Sequence, residues 1–160
     1  MASNAAISAE PASDLDRAVK LLGGKRHFRS QVRSRLDVHR AIEIGLDSGA
    51  LTYLIGSIVF MREADVMEKA MGISLRTFQR RKKDTGPKVL SQEQSGRAWK
   101  FAEILAKATR VLGSQEEAER WLSQPAMALD QRRPVDLLTT PAGVELVEEH
   151  LERLEYGVYA

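Results

Sequence analysis

Apolar residues recur along this chain at spacings of three and four, the period of a helix with one buried face. The clearest run is Arg97 to Leu112, where Phe101, Ile104, Leu105, Ala108, Val111 and Leu112 make one stripe and Gly113 ends it. Ser114 followed by Glu117 has the spacing of a capping box and opens a helix to about Ser123, with Ala118, Trp121 and Leu122 on its apolar face. Pro125 ends that helix, and Arg133-Pro134 begins a short helical turn through Leu138. Thr140-Pro141 pairs an N-cap with a first-turn proline. It predicts a last helix striped by Val144, Val147, Leu151 and Leu154 and stopped by Gly157.

The first half is less regular. Met1 to Ala12 is rich in Ala and Ser, lacks periodicity and reads as a disordered tail. Ser13 caps a helix from Asp14 to Leu22, which Gly23-Gly24 ends. A basic stretch, Lys25 to Arg40, is expected to become helical from about Gln31. Asp37 to Ile44 reads as helix, with a strand left open by its Val and Ile, and Gly45 breaks it. Asp47-Ser48-Gly49 is a turn signal. Ala50 to Met61 is the most apolar stretch of this half and is expected to be its central core helix.

Between Glu63 and Lys83 the pattern becomes specific. Glu63 to Met71 is a short apolar-faced helix, Gly72 breaks it, and Ser74 caps the next one. Helix, tight Gly turn and capped helix form a helix-turn-helix signature. Leu75 and Phe78 mark the expected buried face of the second helix. At 100° per residue Arg76, Thr77 and Arg80 then project outward, with Arg81 and Lys83 on the flanks. Five basic residues and no acidic one lie between Arg76 and Lys83, so the exposed face suits the DNA major groove better than a merely solvated basic helix. The expected DNA-contacting residues are Ser74, Arg76, Thr77, Gln79, Arg80, Arg81 and Lys83. Arg76, Thr77 and Arg80 face base edges, and Arg81 and Lys83 meet phosphates. Gly86-Pro87 stops the helix.

Composition changes this picture in three places. Net charge is only +2, but residues 1–95 carry 16 Lys/Arg against 11 Asp/Glu, while residues 96–160 carry 8 against 11. A basic half joined to an acidic half implies two surfaces for two partners. Cysteine is absent, which excludes disulfides, thiol catalysis and cysteine metal sites. No apolar run of membrane-spanning length and no secretory pattern is present, so a cytoplasmic location is expected. The expected domains are a tail at 1–12, a helix-turn-helix domain at 13–90 and a four-helix domain at 91–160, all α-helical.

The second half resembles the toxin-binding domain of the Xre/MbcA/ParS family of bacterial antitoxins. The resemblance runs in order through Ala108, Gly113, Ala118, Trp121-Leu122, Pro125, Leu129, Arg133-Pro134, Leu137-Leu138, Thr140, Gly143, Val147, Leu151, Leu154 and Gly157. One departure stands out: the family has a Gly-containing loop before Arg-Pro, whereas here it is Asp130-Gln131-Arg132, so a different loop shape is expected. Gly72-Ile73-Ser74-Leu75-Arg76-Thr77-Phe78-Gln79-Arg80-Arg81 likewise resembles the Xre-like helix-turn-helix of such antitoxins. The resemblance implies a type II antitoxin whose partner is a RES-domain, NAD-degrading toxin, and a pair that represses its own promoter through operator DNA. A homodimer is expected, because helix-turn-helix proteins read two-fold half-sites as dimers. No cofactor is implied.

Trp121 suits an interface anchor, but a core Trp beside Leu122 is the better reading. His27, His39 and His150 are scattered, and solvated histidines fit them better than a metal site. Glu145 to Glu155 reads as a solvated acidic face rather than a carboxylate active site, and no nucleophile, base or cofactor loop supports an enzyme. The tail Tyr156-Gly157-Val158-Tyr159-Ala160 keeps two aromatics and a Val where tails are usually polar. With Glu148, Glu152 and Glu155, the residues Tyr156, Gly157, Val158, Tyr159 and Ala160 form the expected toxin-binding set. The competing reading is a stand-alone transcriptional regulator whose second half only dimerises or takes a small ligand.

Overall fold

The structure is a computed structural model, and it describes residues 12–85 and 88–157. Among these the fold is all α-helical, with eight α-helices and short 3-10 turns. The expected tail at 1–12 lies almost wholly outside the described residues, as do the Gly86-Pro87 stop and Val158, Tyr159 and Ala160.

One helix organises the rest. This is α6, Gln92–Leu112, five residues longer at its start than its stripe predicted. Ser91 makes the difference: its hydroxyl accepts from the Gln94 N–H (3.1 Å) and caps the helix earlier. Ala98, Trp99, Phe101, Ala102, Ile104, Leu105, Ala106 and Ala108 are all buried, covering most of the circumference of the helix. A helix apolar on so many sides sits inside a core rather than on it. Helix α1 (Asp14–Leu21), α2 (Arg35–Ile44) and α4 (Ala64–Met71) pack on it from the first half. From the second half come α7 (Gln115–Ser123) and α8 (Pro141–Glu155). One hydrophobic cluster runs from Ala18 to Leu151, so the two expected units share α6 as a common spine.

Four local expectations are corrected. The Lys25–Arg40 stretch becomes helical at Arg35, not Gln31. Ser34 and Asp37 form a capping box there, with Ser34 Oγ accepting from the Asp37 N–H (3.2 Å) and the Asp37 carboxylate accepting from the Ser34 N–H (3.0 Å). Asp47-Ser48-Gly49 is a helix start rather than a free turn, since Asp47 accepts from the Gly49 N–H (3.1 Å) and caps α3, Ser48–Ser57. That helix does not reach Met61 and is not the central one. It stops at Ser57, Ile58 is extended, and Val59–Arg62 is a 3-10 turn. The Val59 N–H that a continuing helix would need is donated instead to the Glu119 carboxylate of α7 (2.8 Å).

The fourth correction concerns α5, Leu75–Lys83, where no residue is fully buried. Leu75, expected inside, is 38% exposed, while Ile73 just ahead of the cap is only 5% exposed. Phe78 is partly buried against the core, as its position predicts. The helix lies shallowly on α4, and within it Phe78 rather than Leu75 reaches the core.

The last helix follows its sequence signals. Thr140 Oγ1 accepts from the Gly143 N–H (3.0 Å), Pro141 occupies the first turn, and Val147 and Leu151 are fully buried. In the loop before Arg133, Asp130 (φ 56°) and Gln131 (φ 59°) both adopt the left-handed conformation that glycine takes without strain. The missing family glycine is therefore replaced by residues bent as a glycine would bend.

Candidate functional site

Two surfaces carry the residues singled out by sequence. The first is α5. Gly72 (φ 69°) ends α4 in the left-handed region. Ser74 Oγ accepts from the Thr77 N–H (3.2 Å) and donates to Thr77 Oγ1 (3.0 Å), so both hydroxyls are engaged in starting the helix. Arg97 of α6 locks the turn by donating to the Lys69 carbonyl (2.9 Å). Arg76 and Arg80 are exposed, as predicted, and so are Gln79 and Lys83, whereas Thr77, expected to project outward, is half-buried. Arg81 is half-buried and donates to Gln94 Oε1 of α6 (2.8 Å), which ties the helix to the spine. Lys82, outside the predicted set, lies over the Phe78 ring at 5.8 Å. The four basic residues of the last turn complement the helix dipole, so they stabilise the helix whether or not a partner is bound.

The basic stretch that leads into α2 builds a second basic surface. Lys25, Arg26, Arg29 and Arg40 line a cleft of 590 Å³ that also includes Lys88, five residues past the end of α5. An antiparallel bridge between Asp47 and Val89 holds the two segments together, with the Leu90 N–H donating to the Leu46 carbonyl (2.8 Å). The carboxylates of the cleft are engaged: Asp37 caps α2, and Asp47 bonds His27 (2.9 Å). His27 is thus part of the packing rather than a solvated histidine. His39 stays exposed, 3.6 Å from Glu43.

The second surface is α8. Glu148 pairs with Lys100 (3.0 Å), Glu152 with Lys107 (3.1 Å), and Glu155 with Arg110. The pairs climb both helices in the same direction, so α6 and α8 run parallel. Arg110 also holds Asp14 of α1 (2.9 Å), and its guanidinium pulls the Glu155 carboxyl below its ordinary range. Partly exposed pairs contribute about 0–1 kcal/mol each, against about 1.5–3 kcal/mol for each fully buried Val or Leu. Burial of Val147 and Leu151 therefore holds α8 in place, and the ion pairs set its register. Of the expected free acidic face only Glu145 has no ion pair among the described residues, since Glu149 lies 3.7 Å from Arg153; Leu146 is exposed beside it, and Tyr156 and Gly157 are exposed at the helix end.

His150 departs from its expected solvated state. It is 8% exposed and stacked on Trp121 (centroids 5.7 Å, 21°), so Trp121 is a partly buried packing residue, as the sequence favoured. Burial, with Arg153 nearby, lowers the His150 pKa.

A third cluster was not visible in sequence. Arg133 grips Asp136 with two hydrogen bonds (2.8 and 2.9 Å) and reaches Asp65 of α4 (3.0 Å), while Lys69 of α4 donates to Asp136 (2.9 Å). It joins the first helix of the helix-turn-helix to the 3-10 turn Pro134–Thr139. The Arg133 guanidinium holds the Asp136 carboxyl at about 2, below its ordinary 3.8. The stabilisation is present above pH 4 and is lost as pH falls from about 4 toward 2; screening leaves about 1–2 kcal/mol of it. Asp136→Asn should therefore lower urea stability by that amount at pH 7, and the difference from the parent should shrink toward pH 2. An equal difference at both ends would show that packing, not charge, is at work.

Among the described residues no helix is long and apolar enough to cross a membrane, and no group of His, Asp and Glu is arranged to hold a metal ion.

Comparison with known proteins divides the chain along the same two surfaces. Residues 63–103 match the antitoxin Xre-like helix-turn-helix domain, which covers α4, α5 and the first half of α6. Residues 107–157 match the antitoxin Xre/MbcA/ParS C-terminal toxin-binding domain, which covers the end of α6 through α8. An "Antitoxin Xre" of Yersinia enterocolitica is 30% identical over 133 residues, 74% of this chain and 88% of the relative. Another from Pseudomonas putida is 32% identical over 146 residues, 84% of this chain and 86% of the relative.

Proposed function

This chain belongs to the Xre/MbcA/ParS family of antitoxins, and from that premise we propose that it neutralises a RES-domain, NAD-degrading toxin and represses the promoter of the pair. The observation that carries the reading is one helix, α6, serving two differently charged surfaces: α5 on one side and α8 on the other. The α5 face reads operator DNA through Arg76, Thr77, Gln79 and Arg80. Lys83 and Arg81 act on phosphates with Ser74 as the cap. Leu36 and Ile44 of α2 are large apolar residues left exposed, and they support a homodimer, seen as twice 17.8 kDa in light scattering of the free protein.

On the other surface Glu148, Glu152 and Glu155 act mainly by fixing where α8 points, and they keep its end negative. Tyr156 and Gly157 lead from that end, and Val158, Tyr159 and Ala160 enter the NAD pocket of the toxin. A cationic, partly apolar pocket shaped for NAD phosphates and nicotinamide would accept such a group. Deleting 157–160 should leave the fold, DNA binding and co-purification with the toxin intact, because the deletion begins past the last buried residues of α8. It should abolish protection of toxin-expressing cells and allow NAD loss in vitro. Full protection by the truncated chain would assign inhibition to the helices, and failure to capture any toxin would favour the stand-alone regulator.

A further inference from the structure

Six basic residues and one acidic residue lie between Lys25 and Arg40, a stretch outside both matched family domains. Two anchors hold its first part. His27 bonds the Asp47 carboxylate at the start of α3 (2.9 Å), and Phe28 sits edge-on against Trp99 of α6 (centroids 6.4 Å, 82°). Both anchors are half-buried, whereas Lys25, Arg26 and Arg29 around them are exposed. The backbone that carries these three cations is therefore fixed by its anchors and not by the charges it presents.

Five cations and two carboxylates line the cleft that this segment borders, and both carboxylates are engaged. Asp47 is bonded to His27, so it acts on Arg29 only through its field, and Asp37 caps α2 with Arg40 at 3.9 Å. Lys88 pairs with Asp84. Lys25 and Arg26 make no hydrogen bond or ion pair among the described residues. None of the five cations is buried, so the cleft is not an enclosed seat for one small anion. Exposed cations spread along a surface suit a polyanion, which meets several at once and releases counterions at each. The two aromatic rings of the cleft are both taken up by the fold, His27 at Asp47 and Phe28 at Trp99, so neither serves as a free platform for an unpaired base. The surface fits the phosphates of a duplex rather than a single strand.

The start of α6 places the cleft beside α5. Gln94 accepts from Arg81 of α5 (2.8 Å), and the next residue, Ser95, accepts from the Leu46 N–H of the cleft wall (2.8 Å). Lys83 at the end of α5 and Lys88 in the cleft are five residues apart, so their Cα atoms lie within about 18 Å of each other. One turn of duplex is about 34 Å.

We infer that the cleft is a second DNA-binding surface, in which Lys25, Arg26 and Arg29 hold the sugar–phosphate backbone of the duplex that α5 reads, without contacting bases. The place of the duplex rests on the reading of α5 given above, whereas the charge of the cleft acts on a duplex of any sequence.

Anisotropy titrations of the full chain test this at several sodium chloride concentrations, with a promoter duplex, a scrambled duplex of equal length and a single strand of the promoter. Each phosphate contact adds about 0.9 to the slope of log affinity against log salt. The Lys25→Gln, Arg26→Gln, Arg29→Gln protein should lose about 2–3 from that slope on both duplexes. At low salt it should bind both about tenfold or more weakly, by equal factors, with the promoter preference intact. Arg29→Gln alone should lose about 1 from the slope, and Arg26→Lys with Arg29→Lys should bind like the parent, because a phosphate contact needs the charge and not the fork. The Arg76→Ala, Arg80→Ala protein should lose promoter preference yet keep the part of the slope that the cleft supplies, so failure of the α5 reading and failure of the cleft are separately visible. An unchanged slope in the triple variant, a loss confined to the promoter duplex, or a single strand bound as tightly as the duplex would each overturn the inference.

Discussion

Replacing Arg76 and Arg80 together by Ala should lower operator affinity about 100-fold or more while lowering the melting temperature only slightly. Both side chains are exposed, and neither makes a hydrogen bond among the described residues, so the fold loses only the small contribution of Arg80 at the helix C-terminus. A base-contacting Arg contributes about 1–3 kcal/mol, and contributions from separate positions add unless the two share one base pair. Each single substitution should also relax sequence preference at one operator position. Lys83→Ala should behave differently, weakening all sequences alike and flattening the dependence of affinity on salt. Arg81→Ala combines both kinds of loss, because the Arg81 guanidinium also anchors α5 to Gln94. Gel-shift titrations at two salt concentrations separate these patterns. Unchanged operator binding by the double variant would remove α5 from the DNA interface.

The largest structural effect is expected at Gly143→Ala. Gly143 is buried in the first turn of α8, against the backbone of Leu137. An added Cβ would run into the Leu137 carbonyl oxygen, with its carbonyl carbon at 2.8 Å and its Cα at 3.1 Å. These are backbone atoms of a turn whose Pro134, Val135 and Leu138 are themselves buried, so they cannot swing aside as a flexible side chain would. We expect a loss of about 3 kcal/mol, or roughly 6–12 °C in melting temperature, with toxin capture failing before DNA binding. Gly72→Ala provides the contrast. A Cβ there meets the Arg97 guanidinium, a flexible side-chain end that can move by giving up its bond to the Lys69 carbonyl, so the cost is that of the left-handed backbone plus one hydrogen bond, about 2–3 kcal/mol. Equal melting of Gly143→Ala and the parent would show that α8 can slide away from the turn.

Sequence by itself determined most of the helices, because their signals are local. Ser13, Ser74, Ser114 and Thr140 each cap the helix they were expected to cap, and Gly72 and Gly113 end theirs in the left-handed region. A cap needs only a hydroxyl and a backbone N–H three residues away, so four consecutive residues suffice to show it. The basic character of α5 was legible for the same reason: charge on one face of a short helix follows from its period. Tertiary structure decided what depends on residues far apart in the chain. Leu75 reads as buried by spacing, yet its exposure follows from how shallowly α5 rests on α4. Ala50 to Met61 reads as one core helix, yet the Glu119 carboxylate, sixty residues away, takes the Val59 N–H and ends it. Glu148, Glu152 and Glu155 read as a free acidic face, yet the parallel approach of α6 brings Lys100, Lys107 and Arg110 to them. Periodicity shows that a face is polar; only the packing of a second helix shows whether its charges meet water or each other.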